Sequence, residues 1–297
     1  MNHRGYFSSL FFFARDIKIS HSIFALPFVI SALVLGLDRL PSVYQAFWIV
    51  LCMVCARSFA MGMNRYFDAR FDALNERTKN RAIPRGDLSC GQSLFWSLVF
   101  GLVFIFSARA LGSISYLLSV PLLIFLGSYS LLKRYVWWTH WYLGVCLALA
   151  PLAAIVAISE SWPAISVFCV SFAMIFWTAG FDLLYSTQDY KFDVANGLNS
   201  FPQRFGISRT VDISRLCFVF TILFLGLGGY FESSGVWYYS GVIFVSALLF
   251  AEQVLIRELK TKGHSAMIQK AFFDLNAMVS VIFLFFVIAE RVIGNWF

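Results

Sequence analysis

Charge is scarce in this sequence. Only 13% of its 297 residues are Asp, Glu, Lys or Arg, and 60% are hydrophobic, whereas soluble domains average about 25% charged residues. The composition therefore excludes an ordinary soluble protein and indicates that lipid is the solvent. A signal-peptide pattern is also missing, because the first apolar patch, Phe11 to Phe13, is short and Arg15 follows it. We expect an interfacial helix there.

Long apolar runs are abundant. A transmembrane helix needs about 20 mostly apolar residues, and such runs lie near residues 22–37, 43–63, 94–111, 113–132, 141–158, 162–181, 216–231, 235–255 and 271–289. They predict an all-α polytopic membrane protein of about nine transmembrane helices. Because little sequence remains between them, we expect a single transmembrane domain over residues 1–297.

The basic residues indicate the orientation. If the N-terminus is cytoplasmic, the opposite side receives only Arg39, Arg109 and Arg291 of the 23 Lys and Arg residues, as the positive-inside rule requires. The net charge of +7 then reflects topology and attraction to anionic headgroups. We therefore expect a lipid bilayer as partner and no nucleic acid.

Cysteine gives only a weak signal. Cys52 and Cys55 form a CxxC spacing, but this pair lies inside an apolar run and no second pair completes a metal site. We interpret the cysteines as buried thiols.

A first acidic segment follows the second apolar run. Asn64, Asp68 and Asp72 form an N-x-x-x-D-x-x-x-D pattern, which places the three side chains on one face if the helix continues. Neighbouring carboxylates repel each other there, and a divalent cation would remove that repulsion.

A second acidic segment follows the sixth run. Asp182, Tyr185, Asp189 and Asp193 share a face if this segment is also one helix. Hard oxygen ligands suit Mg²⁺, which takes one or two carboxylates plus waters and phosphate oxygens. Two facing acidic helices would therefore hold a diphosphate through bridging metal ions, in two related halves of the chain. The alternative is that these acids are solvated charges at helix ends.

Basic residues accompany both segments. Lys133 and Arg134, at the end of the fourth run, could neutralise a diphosphate, as could four loop residues, Arg77, Lys79, Arg81 and Arg85. Positive-inside topology is the alternative explanation for the loop residues. Arg57 lies inside an apolar run, where a cation is costly unless it is paired or functional. Lys18 could contact a substrate carboxylate or extend to the headgroups.

These motifs resemble those of the UbiA superfamily of intramembrane aromatic prenyltransferases. The resemblance covers essentially the whole chain, from Lys18 through the first motif, the segment Lys79 to Gly86 and Tyr129 to the second motif. It implies one helical bundle around a central cavity. It also implies Mg²⁺ as cofactor, held by Asp68, Asp72, Asp189 and Asp193 with support from Asn64 and Asp182.

The resemblance extends to the substrates. It implies that Lys133 and Arg134 bind phosphate and that Tyr129 positions the substrates, and we add Arg57, Arg65, Tyr185 and Lys18 as candidates for substrate binding. The implied reaction transfers a polyprenyl group from polyprenyl diphosphate to a hydroxylated aromatic carboxylic acid in quinone biosynthesis. Ionisation of the diphosphate and electrophilic aromatic substitution would be its steps.

Details of the motifs are most similar to bacterial proteins that use 4-hydroxybenzoate, which implies the bacterial inner (plasma) membrane with both motifs cytoplasmic. The same chemistry on 1,4-dihydroxy-6-naphthoate, for menaquinone, is an alternative. Two positions depart from the family pattern: Arg65 replaces a frequent Asp, and Asn199 stands where a basic residue is common. An ion-coupled transporter is a more distant alternative, but its acids would more often lie at the membrane midplane.

Overall fold

The structure, a computed structural model, describes the backbone of residues 6–18, 25–262 and 266–294, and the side chains of 8–18, 25–255 and 274–294. Over these ranges the chain is almost entirely helical and contains no β-strand. The α-helices are α1 (Tyr6–Asp16), α2 (Leu26–Gly36), α3 (Val43–Leu74), α4 (Cys90–Leu111), α5 (Ser113–Leu132), α6 (Thr139–Ser159), α7 (Ile165–Ser186), α8 (Tyr190–Asn196), α9 (Phe201–Phe231), α10 (Val236–Lys262) and α11 (Ala266–Ile293).

The helices confirm a multi-pass membrane protein. Among the described residues, eight segments are long and apolar enough to cross a bilayer, and α2 is a shorter apolar helix of 11 residues. Part of the first expected run, residues 22–24, lies outside the described residues. Large apolar side chains such as Phe106, Leu117 and Phe250 are more than 70% exposed, and lipid rather than water is the solvent that suits them.

The chain forms two compact units. The first contains Met1–Ile23, Pro41–Thr139 and Lys191–Ser200, and the second contains Phe24–Leu40, His140–Tyr190 and Phe201–Phe297. The second acidic motif is thus divided, since Asp189 belongs to the second unit and Asp193 to the first. That the whole chain is one domain stays a prediction.

In the first unit, α3 packs against α4 and α5, and α1 contacts α4. Ser42 and Ser89 start α3 and α4 with capping boxes, in which the serine side chain and a glutamine three residues later satisfy each other's backbone N–H groups. Gly62 allows α1 to approach α3, because a Cβ atom there would lie 2.7 Å from the Phe13 ring.

In the second unit, α7 packs along α9, α10 packs on α11, and α2 contacts both α7 and α11. Phe28, Met174, Trp177 and Phe283 are buried in its core. Gly144 brings α6 close to the backbone of α7, the kind of contact that small residues permit between membrane helices.

The two acidic segments differ in their backbone. The first stays in one helix, since α3 continues through Leu74, whereas the second is not one regular helix, because a 3₁₀ turn, Thr187–Asp189, separates α7 from α8. After the second segment, α9 begins at Phe201 with a break at Gly206, where φ is 83°. Polar side chains do not end a helix by themselves, and α3 ends at Asn75, whose backbone is extended with ψ of 123° although its N–H still bonds to the Phe71 carbonyl.

Candidate active site

The first acidic motif lies on successive turns of α3. Asn64 Nδ2 donates to Asp68 Oδ2 at 2.8 Å, and Arg81 Nη1 lies 2.7 Å from each carboxylate oxygen of Asp72. Asp72 is buried, whereas the Asp68 side chain is 26% exposed. The repulsion expected between the two carboxylates is therefore offset by one amide and one guanidinium.

Two adjacent cations at the end of α5 contact acids of both motifs. Lys133 Nζ lies 2.8 Å from Asp193 Oδ1, and Arg134 Nη2 lies 3.6 Å from Asp68 Oδ1. All four residues belong to the first unit. The structure therefore brings one aspartate of each motif to a single basic pair, which neither motif's spacing could show.

Asn199 holds the backbone of this basic pair. Its N–H donates to the Lys133 carbonyl at 2.8 Å and its side-chain amide donates to the Arg134 carbonyl at 3.0 Å. Where the family commonly has a basic residue, this chain thus has an asparagine whose backbone N–H and side-chain amide hold the backbone carbonyls of two basic residues. No local sequence pattern indicates this contact.

In the second unit, Asp182 has a partner that the sequence analysis missed. His140 Nδ1 lies 2.7 Å from Asp182 Oδ2, and His140 is almost fully buried at the start of α6. Asp189 is buried in the 3₁₀ turn, whereas Tyr185 is 41% exposed. A single histidine at the start of an apolar helix gives no sequence signal of its partner 42 residues away.

The candidates for substrate binding in the first unit have protein contacts of their own. Arg57 Nη1 donates to the carbonyls of Ile17 and Lys18, at 3.1 and 3.3 Å. Lys18 itself is exposed and has a left-handed backbone with φ of 49°. The contacts of Arg57 account for a cation inside a membrane helix, and substrate binding by Arg57 and Lys18 stays a prediction.

Arg65 and Tyr129, two further candidates for substrate binding, also contact other side chains of the protein. Arg65 is buried, its Nε lies 3.2 Å from Asp16 Oδ2, and its Nη1 donates to Asn64 Oδ1 at 2.6 Å. The Tyr129 hydroxyl lies 3.8 Å from the Met61 sulfur. Arg65 thus reaches the first motif through Asn64, and Asp16 is a second residue that the sequence analysis missed.

The oxygen donors of the acidic motifs are of a type that suits a magnesium ion. Among the residues that the structure describes, no three His, Cys, Asp or Glu side chains converge into a metal site, and Mg²⁺ normally completes its shell with waters and substrate phosphates. Asp193 is fully buried, and its Oδ2 receives no hydrogen bond within the described residues. Such an oxygen is costly to leave unpaired and is of the hard type that Mg²⁺ prefers.

The sequence model of the UbiA prenyltransferase family matches residues 25–277, including both acidic motifs. The chain belongs to the UbiA prenyltransferase family. Among its relatives, 4-hydroxybenzoate geranyltransferase 1 of Lithospermum erythrorhizon is 31% identical over 70% of this chain and 67% of that protein. The 4-hydroxybenzoate octaprenyltransferase of Aeromonas salmonicida is 28% identical over 76% and 78% of the two chains.

Solved UbiA structures share the fold. A UbiA homologue from Aeropyrum pernix matches 92% of this chain and 99% of its own, with a TM-score of 0.81 and 24% identity. A UbiA homologue from Archaeoglobus fulgidus bound to GPP and Mg²⁺ matches 93% and 99%, with a TM-score of 0.66 and 16% identity. The expected all-helical UbiA fold is confirmed.

Proposed function

We propose that this UbiA prenyltransferase transfers a polyprenyl group from polyprenyl diphosphate to 4-hydroxybenzoate with the help of Mg²⁺, in quinone biosynthesis. The observation that carries the proposal is the basic pair Lys133 and Arg134, which contacts Asp193 and Asp68. Two cations next to two carboxylates provide the charges that a diphosphate and its metal ion require.

The side chains divide the binding of the diphosphate between them. Lys133 and Arg134 take diphosphate oxygens, and Arg81, which now holds Asp72, provides a further cation at the same motif. Asp68, Asp72, Asp189 and Asp193 would hold Mg²⁺, with Asn64 and Asp182 in support. Bound Mg²⁺ would stabilise the negative charge that develops on the departing diphosphate.

The reaction then forms a carbon–carbon bond. The bond between the first prenyl carbon and the diphosphate oxygen breaks, and its electron pair leaves with the diphosphate. The ring carbon ortho to the phenol hydroxyl attacks the prenyl carbon, and the ring loses the proton at that position, which restores aromaticity. Apolar walls exclude the water that would otherwise capture the prenyl cation, and the long apolar helices of this chain can supply side chains of that kind.

The acceptor is proposed from the relatives, whose names specify 4-hydroxybenzoate with geranyl or octaprenyl donors. The orientation in the plasma membrane, with the N-terminus and both motifs cytoplasmic, belongs to the same proposal and is supported by the one-sided distribution of basic residues.

The test is an assay of the detergent-solubilised chain with Mg²⁺ and a polyprenyl diphosphate. 4-Hydroxybenzoate and 1,4-dihydroxy-6-naphthoate are offered in parallel, each with and without EDTA, and prenylated products are measured by mass spectrometry. We expect product from 4-hydroxybenzoate that EDTA abolishes. Product from the naphthoate alone would replace the proposed acceptor, and product that EDTA does not reduce would contradict the role of the metal.

A further inference from the structure

Asp16, the last residue of α1, is a buried acid with two partners. Its Oδ2 lies 3.2 Å from Arg65 Nε, and its Oδ1 accepts a hydrogen bond of 2.8 Å from the Ala82 N–H. The side chains of Asp16 and Arg65 are each only 7% exposed. Burying two charges is costly, and neither residue belongs to the acidic motifs. The contacts of this pair lead to Asp68 and Asp72 by two branches.

One branch of contacts leads from Asp16 to Asp68. Arg65 donates to Asn64 Oδ1 at 2.6 Å, and Asn64 Nδ2 donates to Asp68 Oδ2 at 2.8 Å. A guanidinium has only donors and an ionised carboxylate has only acceptors. The Asn64 amide therefore has one orientation that satisfies both neighbours, and Arg65 determines it.

The other branch leads to Asp72. Asp16 fixes the backbone of Ala82, and the preceding residue, Arg81, holds both carboxylate oxygens of Asp72 at 2.7 Å. Ala82 is buried in a cluster with Phe13 and Ile17 of the same N-terminal segment. The segment that carries Arg81 is therefore anchored to α1 by one hydrogen bond and by apolar packing.

We propose that Asp16 is a positioning residue for the first acidic motif. Through Arg65 and Asn64 it orients Asp68, and through the Ala82 backbone it places Arg81 against Asp72. The inference rests on the proposed function, because it concerns the carboxylates that would bind the metal. It adds a residue outside both motifs, on α1.

The test substitutes Asp16→Asn in the full-length, solubilised chain. Asparagine keeps the size of the side chain and an acceptor for the Ala82 N–H but removes the charge that holds Arg65. Binding of Mn²⁺ in the presence of a polyprenyl diphosphate is measured by electron paramagnetic resonance, alongside prenyl transfer. We expect the Mn²⁺ dissociation constant to rise about tenfold, as is typical when a residue behind a metal ligand is lost.

Ser9→Ala is the matched control. The Ser9 hydroxyl is buried on the same helix and accepts a hydrogen bond of 2.9 Å from Trp96 Nε1, so the substitution disturbs the docking of α1 without touching the Asp16 contacts. We expect an unchanged dissociation constant. An equal rise of the dissociation constant in Ser9→Ala and Asp16→Asn would overturn the inference, since any loosening of α1 would then be enough to weaken metal binding.

Two further variants separate positioning from folding. Arg65→Lys keeps the charge opposite Asp16 but has a single ammonium group in place of the fork that reaches Asp16 and Asn64, so the dissociation constant should rise although the buried charge remains paired. In a chain that already carries Asn64→Ala, Asp16→Asn should raise the Mn²⁺ dissociation constant by a smaller factor than in the unaltered chain. Both substitutions act through the same branch of contacts, the one that leads to Asp68. If Asp16→Asn raised the dissociation constant by the same factor with and without Asn64→Ala, or if Arg65→Lys left the constant unchanged, the proposal would be contradicted.

The unaltered protein distinguishes the two proposals. If it binds Mn²⁺ and transfers the prenyl group while Asp16→Asn does both equally well, the positioning role fails and the proposed function stands. If the unaltered protein shows neither binding nor transfer, both fail.

Discussion

Asp68 and Asp189 differ from the exposed Asp212 in what surrounds them. Asp68 lies beside Asn64 and Arg134, and Asp189 is buried in a 3₁₀ turn, whereas Asp212 pairs with Arg215 three residues later. Exposed ion pairs contribute about 0–1 kcal/mol to stability. Asp212 therefore serves as a comparison for substitutions in the motifs.

We predict that Asp68→Asn or Asp189→Asn lowers the rate of prenyl transfer by about a hundredfold or more, because each loses a charge proposed to hold the metal ion and little apolar packing. Membrane insertion, measured as the amount of folded protein extracted from membranes, should be unchanged. Asp212→Asn should keep the rate of the unaltered protein. Near-normal transfer by either motif variant would contradict the proposed site.

Sequence spacing could identify the acids of the site because each motif repeats with the period of a helix. It could not identify Asp16, His140 or Asn199. The partners of these residues lie 42 to 66 positions away in the chain, and a local pattern contains no information about contacts between helices. Each of the three is also an ordinary polar residue in apolar surroundings. In the sequence, a buried polar residue that only supports the structure would look the same.

Helices of the second unit depend on small residues where they approach closely. A Cβ atom added at Gly144 of α6 would lie 2.5 Å from the Ile175 carbonyl oxygen of α7, a backbone atom that cannot rotate away. At Gly226 of α9, no described atom beyond the adjacent turns of the same helix lies within 4 Å of such a Cβ. Both glycines lie in helices, but only position 226 has room for the methyl group of an alanine.

We predict that Gly144→Ala lowers the temperature of thermal unfolding in detergent, because α6 must move away from α7, with a cost of about 1–3 kcal/mol. Gly226→Ala should leave the unfolding temperature unchanged or raise it, since alanine favours a helix by about 1 kcal/mol. Light scattering or tryptophan fluorescence during heating measures both. Equal stability of the two variants would show that the α6–α7 contact adapts to the methyl group.

Helix positions could be predicted from the sequence more reliably than helix ends. Apolar runs predict each of the eight long apolar helices found among the described residues, because lipid requires an uninterrupted apolar helix. The continuation of α3 to Leu74 and the 3₁₀ turn Thr187–Asp189 were not predicted, since caps and turn geometry decide these ends and hydropathy does not.

At the scale of the whole molecule, the orientation in the membrane is open to a chemical test. Cys90 is exposed at the start of α4, on the side expected to be cytoplasmic, and Ser161 is exposed between α6 and α7, on the opposite side. We predict that a membrane-impermeant maleimide added to intact cells labels a Ser161→Cys variant and does not label Cys90. Permeabilised cells should show labelling of Cys90 as well.

Cys90→Ser provides the background for this measurement, because it removes the exposed native thiol while the other cysteines are buried or half-buried. Labelling of Cys90 in intact cells, together with a Ser161→Cys variant that reacts only after permeabilisation, would reverse the proposed orientation.

The contacts of Arg57 affect how the N-terminal residues of this protein should be treated in practice. A short aromatic segment before the first apolar helix invites removal or replacement by a fusion tag. Yet the carbonyls of Ile17 and Lys18 are the hydrogen-bond acceptors of a guanidinium in the middle of α3. A chain shortened to begin after residue 18 would leave that cation in an apolar helix without these acceptors, so the segment belongs to the folded protein and is unsuitable for truncation.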